Sequence, residues 1–187
     1  MRDYSGISLS DARRDYLATS TTAMPIGGFI AWSALAVAAF VFGNRLPSFA
    51  PFTAAAIPFP LALIIDKIRG QPGLRADSRH NPVTQLFMRF ITVVALLIPF
   101  VIIAAQAAHN LDILILGLAI LAGLVWVPHG WGADDPAGFA HFIMRAVLCY
   151  AAYLFVPVAV RGAAIAGAAA LTYIYAITAM RKPSSAR

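Results

Sequence analysis

The stretch FPLALIIDKIRGQPGLRADSRHNPVTQLFMRF, Phe59 to Phe90, leaves one apolar run, gathers Lys67, Arg69, Arg75 and Arg79 in a short polar interval, and returns to apolar residues after Arg89. Basic residues between two long apolar runs are the mark of a cytoplasmic loop joining two membrane helices. The composition of the whole chain agrees with that reading. Its 187 residues are 60% hydrophobic and 12% charged, with a mean hydropathy of +0.77, whereas a globular domain carries roughly 25% charged residues. Too few charges remain to cover a water-facing surface. Backbone amides in hydrocarbon must be paired within a helix or around a closed barrel, and the long Ala/Leu/Ile/Val runs lack the strict alternation of barrel strands. The expected fold is therefore an all-alpha integral membrane protein.

Working outward from Phe59 to Phe90, six spans are expected: about Met24 to Phe42, Phe49 to Ile65, Gln85 to Ala105, Leu111 to Val127, Phe139 to Val160 and Ala163 to Met180. Residues 1–22 read as a cytoplasmic amphipathic arm, 23–181 as a six-helix transmembrane domain and 182–187 as a cytoplasmic tail. In the arm, Ser10 is placed to cap a short helix with Asp11 in its first turn, and Arg14 to pair with Asp11. Tyr4, Tyr16 and Leu17 would lay that helix on the membrane surface. The arm mixes acidic and basic residues with no signal-peptide pattern, so the first span is expected to be retained. Pro51, Pro58 and Pro60 should kink or interrupt the second span, while Pro99 and Pro157 fall within the third and fifth. Asn81-Pro82 reads as a cap followed by the first helical position, Gly27-Gly28 as a place of close helix approach, and PHGWGADDPAG, Pro128 to Gly138, as a loop.

Six spans put both termini on one side, and the basic residues say which. Arg2, Arg13, Arg14, Lys67, Arg69, Arg75, Arg79, Arg181, Lys182 and Arg187 share the side of the termini, against Arg45 and Arg161 on the other. That asymmetry puts both termini in the cytoplasm. The net charge of +6 is thus topological. It forms no basic stripe interleaved with aromatic residues, so no nucleic-acid partner is expected. Cys149 stands in an apolar run and reads as an inert buried thiol.

Few residues carry chemistry. Arg89 and Arg145 stand one or two turns inside their spans, where a guanidinium either snorkels to the interface or faces a cavity and holds an anion by paired hydrogen bonds. Asp66, ending the second span, is a candidate partner for either, and the backbone freed at Pro58 and Pro60 is a candidate ligand surface. In WVPHGWGADDPAGFAHF, His129, Asp134, Asp135 and His141 supply ligand types for a divalent metal, with His80 a further imidazole, yet the spacings match no compact zinc motif. The competing reading makes Asp134 the cap of the fifth span and Trp126 and Trp131 interfacial anchors. Asp112 reads as a cap of the fourth span or a partner of Arg161. No catalytic triad or phosphate-binding loop is present at diagnostic spacing, and no cofactor is predicted beyond the divalent metal those histidines and acids could hold.

ARRDYLATSTTAMPI (12–26), FPLALIIDKIRG (59–70) and HNPVTQL (80–86) resemble landmarks of a poorly characterised family of small bacterial multi-pass membrane proteins of unknown function. The resemblance covers roughly the first half of the chain. It implies a bacterial inner-membrane address and carries over no catalytic residue. The residues themselves suggest transport or permeation of a small anionic solute. The alternatives are a membrane-embedded enzyme acting on a lipid or amphipathic substrate, or a non-catalytic partner or sensor. Membrane lipids, and a homo-oligomer or another membrane protein, are the expected partners.

Overall fold

In the computed structural model, residues 4, 6–71 and 76–181 are described; Arg2, Arg75, Lys182 and Arg187 of the basic count lie outside them. Every α-helix or 3-10 turn among these residues belongs to one helical bundle. The helices are α1 (Leu9–Thr19), α2 (Met24–Phe42), α3 (Ala50–Ala56), α4 (Pro58–Ile68), α5 (Pro82–Ala107), α6 (Leu111–Leu124), α7 (Trp126–Ala133), α8 (Ala137–Phe155) and α9 (Val158–Ala179). Five segments are long and apolar enough to cross a membrane, α6 and α7 counting together, or six if α3 and α4 form one broken span. The chain is thus a membrane protein by length and composition of its helices.

The prolines of the second span act as expected: α3 and α4 meet at Ile57 with a bend of 43°. Asn81 caps α5 by accepting from the Val83 amide at 2.8 Å, with Pro82 in the first helical position. Two connections differ from the sequence reading. Pro128 to Ala133 is helix, not loop. Pro128 sits in the first turn of α7, where its missing amide costs little, so the chain kinks at Val125 and continues. Gly130 and Gly138 are packing residues: a Cβ on Gly138 would lie 2.4 Å from the Trp126 carbonyl oxygen and 2.7 Å from Gly130 Cα. The α7–α8 hairpin closes only because neither residue has a side chain. Further on, α8 ends at Phe155, and Pro157 leads directly into α9, which puts Arg161 inside the last helix and not at the close of the fifth span. The Arg161 Nε donates to the Val156 carbonyl at 3.2 Å.

The core is built on α2 and α9, the most extensive helix pair. Ala31, Trp32, Leu35 and Ala39 of α2 meet Ile165, Ala166, Ala169 and Tyr173 of α9. Without a hydrophobic drive between helices in lipid, such contact rests on close van der Waals packing, which small residues allow. Gly27 and Gly28 serve that purpose: Cβ atoms there would lie 2.6 Å from the Pro58 carbonyl oxygen and 2.2 Å from Tyr173 Cζ.

The arm departs from its expected place. Its cap is Ser8, which accepts from the Asp11 amide, and not Ser10. Asp11 does pair with Arg14. Instead of lying on a surface, α1 packs against α5 and α7, burying Ala12, Asp15, Tyr16 and Thr19. Fully buried Asn81 donates to the Ala12 carbonyl at 2.8 Å and to Asp15 at 3.2 Å, and Tyr4 donates to Asp15 at 2.6 Å. These bonds satisfy the polar groups that packing the arm would otherwise orphan. At the same end of the bundle Arg13 pairs with Asp134 at 2.8 Å, and the Arg181 amide donates to Asp135 at 2.7 Å. Both ends of the described chain therefore meet there.

Candidate functional site

The residues lining the site come from the arm end of the bundle. Tyr16 of α1 reaches His129 Nδ1 at 2.9 Å, and burial pushes its phenol well above the ordinary range, which keeps the hydroxyl protonated. The chain then turns through Ser20 to Thr22. Buried Asp66, at the end of α4, accepts from the Thr22 amide at 2.8 Å and also from the Thr22 hydroxyl. Asp66 therefore fixes the arm-to-α2 turn, and pairs with neither Arg89 nor Arg145. Its proximity to Thr22 depends on the α2–α4 crossing, which the sequence spacing does not reveal.

Around this turn lie two chambers. The inner one, about 240 Å³, is mainly apolar and runs between α1, α4, α5, α6 and α7, with Pro58, Phe59, Phe87, Met88 and Trp126 among its walls. The outer one, about 390 Å³, has a mixed lining that includes Thr22, Arg69, Gln71, Met180 and Arg181. Ser20, Thr21, Trp126 and His129 line both, so the chambers adjoin. A site with an apolar end and a cationic, hydroxyl-bearing end suits an amphipathic anion.

Arg89 and Arg145 are not brought together. Arg89 lies exposed on α5, and α5 and α8 do not touch. Arg145 is fully buried in α8 and does not snorkel. Its guanidinium donates to the Tyr173 hydroxyl at 3.2 Å and to the Ala169 carbonyl at 3.0 Å, and lies 4.5 Å from the Tyr173 ring centroid and 5.2 Å from that of Trp32. Among the described residues no carboxylate pairs with it. The Arg145 Nε and both ring nitrogens of fully buried His141 lack a hydrogen-bond partner there. His141 is held between the rings of Trp126 and Tyr173, at 5.2 Å from each.

The histidines and acids expected near one another are spread out. Among the described residues no group of three or more His, Cys, Asp or Glu converges on a point that could hold a metal. His80 accepts from Arg79 at 3.1 Å in the turn before α5, while His129 and His141 pack on Trp126. Asp134 does not cap α8: Pro136 holds the N-cap position, and Asp135 before it accepts from the Ala137 amide at 3.0 Å. Asp134 adopts a left-handed conformation at the end of α7. Asn110, and not Asp112, caps α6. Trp126 is buried as a wall of both chambers and is no interfacial anchor, whereas Trp131 is 44% exposed beneath Arg13. Pro58 lines the inner chamber; Pro60 is exposed. Cys149 is buried, its thiol against the Ile165 carbonyl at 3.7 Å.

Sequence reasoning missed Tyr16, Phe87, Trp126 and the Ser20–Thr22 turn as site residues. The signal available was the polar STT between two helices, directly before a span that opens Met24-Pro25.

The model of a family of unknown function, DUF7010, matches residues 9–182. The chain belongs to that family. No curated protein and no solved structure matches it. The matched region runs from the first residue of α1 past the end of α9, so the arm and both chambers of this DUF7010 member fall inside it.

Proposed function

We propose that this family member binds a small amphipathic anion at the arm end of its bundle, and that it does so in a bacterial inner membrane with both termini in the cytoplasm. The observation that supports this is that an apolar chamber and one bearing two arginines share the wall formed by Ser20, Thr21, Trp126 and His129. An apolar chain occupying the inner chamber would be shielded by Phe87 and Met88, and an anionic head in the outer chamber would meet Arg69 and Arg181. The anion-accepting role expected of Arg89 and Arg145 passes in this reading to those two mouth arginines. The ten-to-two distribution of basic residues supports the orientation. Passage of the ligand across the membrane, chemistry on it, or signalling through the arm would each build on this binding step.

The test is titration of purified protein in neutral detergent with decyl phosphate, decanol and decyltrimethylammonium, followed by calorimetry. Decyl phosphate should bind saturably and best. Replacing both mouth arginines (Arg69→Gln with Arg181→Gln) should weaken it about tenfold, near the sum of two partly exposed charge contacts. Equal binding of decanol would remove the anionic head from the proposal. No saturable binding of any of the three would remove the site.

A further inference from the structure

Two walls of the inner chamber belong to helices whose backbones keep apart. The chamber's lining takes Pro58 and Phe59 from α4 and Thr84, Phe87 and Met88 from α5. Yet among the described residues no Cα of α4 lies within 8 Å of a Cα of α5, although α4 packs on α2 and α5 on α6 and α7. Two neighbouring walls of one chamber thus stand apart. Phe59 and Met88, at the edges of the gap, are 45% and 54% exposed. Both helices belong to segments apolar enough to lie in a membrane, α4 jointly with α3, and a gap between two such segments would open onto hydrocarbon. The bend at Ile57 contributes: it turns α4 away from the line of α3, which does pack against α6.

We infer that the ligand is a single-chain anionic amphiphile of the fatty-acid or lysolipid type, and that it enters sideways from the bilayer between α4 and α5. This rests on the binding site proposed above and adds its source and route. The chain slides through an apolar slot without leaving hydrocarbon, so its desolvation is already complete. The head moves to the outer chamber, where Arg69 and Arg181 replace its water. The inner chamber, at about 240 Å³, takes part of one chain and leaves no room for a second, the rest of the chain remaining in the slot.

Trp126 lies in both chambers and reports occupancy. The Trp131→Phe protein, reconstituted at neutral pH in vesicles, is titrated with dibromostearate in the bilayer or with a phospholipid brominated on both chains. Saturable quenching by dibromostearate is expected, absent when Trp126→Phe is added, with the two-chain lipid giving only the weak, unsaturable quenching of a buried ring. For the route, Met88→Cys is labelled with a bulky maleimide; Met88 is exposed and Cys149 is fully buried, so labelling spares the core. The label should slow dibromostearate quenching about tenfold or more, an effect on the rate of access that exceeds any loss of decyl phosphate affinity measured on the same labelled protein in detergent. Quenching at an undiminished rate overturns the lateral route. Absence of dibromostearate quenching in a protein that binds decyl phosphate overturns the bilayer source, while absence of both overturns the binding site itself.

Discussion

Arg145 and Tyr173 allow a prediction whose sign is as informative as its size. In an inserted but unpacked α8, Arg145 can snorkel toward water; in the folded bundle it is fully buried, held by one phenol oxygen, one carbonyl and two ring faces. Folding therefore confines a permanent cation with no carboxylate beside it among the described residues, and holding such a group in a low-dielectric core costs several kcal/mol. Arg145→Met should remove that cost while keeping the stem that packs where Gly123 leaves room. The Ala169 carbonyl is not orphaned, because the Thr172 hydroxyl also donates to it at 2.8 Å. The expected result is a protein as stable as the original or stabler by about 1–4 kcal/mol. Tyr173→Phe acts in the opposite direction. It keeps the ring against Gly28 and Trp126 but takes away the guanidinium's phenol acceptor. A neutral hydrogen bond between membrane helices is worth about 0.6 kcal/mol on average, but one to a charged group is worth about 1.5–3 kcal/mol. The loss should lie in the higher range. In the Arg145→Met background the same change should fall within about 0.5 kcal/mol of zero, leaving a coupling of about 1.5–3 kcal/mol. Reversible SDS unfolding in bicelles, followed by circular dichroism on all four proteins, measures the cycle. A loss of stability for Arg145→Met beyond about 1 kcal/mol, or equal effects of Tyr173→Phe in both backgrounds, would refute the view of Arg145 as an unneutralised cation sustained by Tyr173.

Three further outcomes are expected. Gly138→Ala drives a Cβ into the Trp126 carbonyl and Gly130 backbone and should lower stability by about 1–3 kcal/mol in the same assay; Gly167→Ala, whose Cβ would meet only Ala36 at 4.0 Å, should be neutral or stabilising by up to about 1 kcal/mol. Asp66→Ala removes both acceptors of Thr22 and should loosen the arm, raising amide exchange at residues 8–22 and weakening decyl phosphate binding through the shared Ser20–Thr21 wall, with the helices of the core unaffected; exchange confined to its original level would show that packing of Tyr16 alone holds the arm.

Much of this protein was determined by sequence alone, wherever local rules suffice. The apolar run Met24–Phe42 became a helix with those bounds, Asn81-Pro82 began another, the proline-rich second span broke, and Gly27-Gly28 marked a close crossing. Hydrogen bonding in hydrocarbon leaves such segments little choice but helix, and caps act within one turn. Direction was not legible. Arg89 and Arg145 occupy similar local settings, FMRF and FIMRA, and one points out while the other is buried. In a helix apolar on every side, hydrophobic periodicity does not distinguish the face that meets lipid from the face that meets a neighbour. The PHGWGADD segment misled for a related reason: its glycines have the composition of a turn, and only the approach of α8 reveals that they are the contact points of a helix pair. The loop between Phe59 and Phe90 was readable as charged punctuation. That Asp66 within it would hold Thr22, that α4 and α5 on its two sides would stand apart, and that a chamber would open between them, depended on how the helices cross, which only the tertiary structure decides.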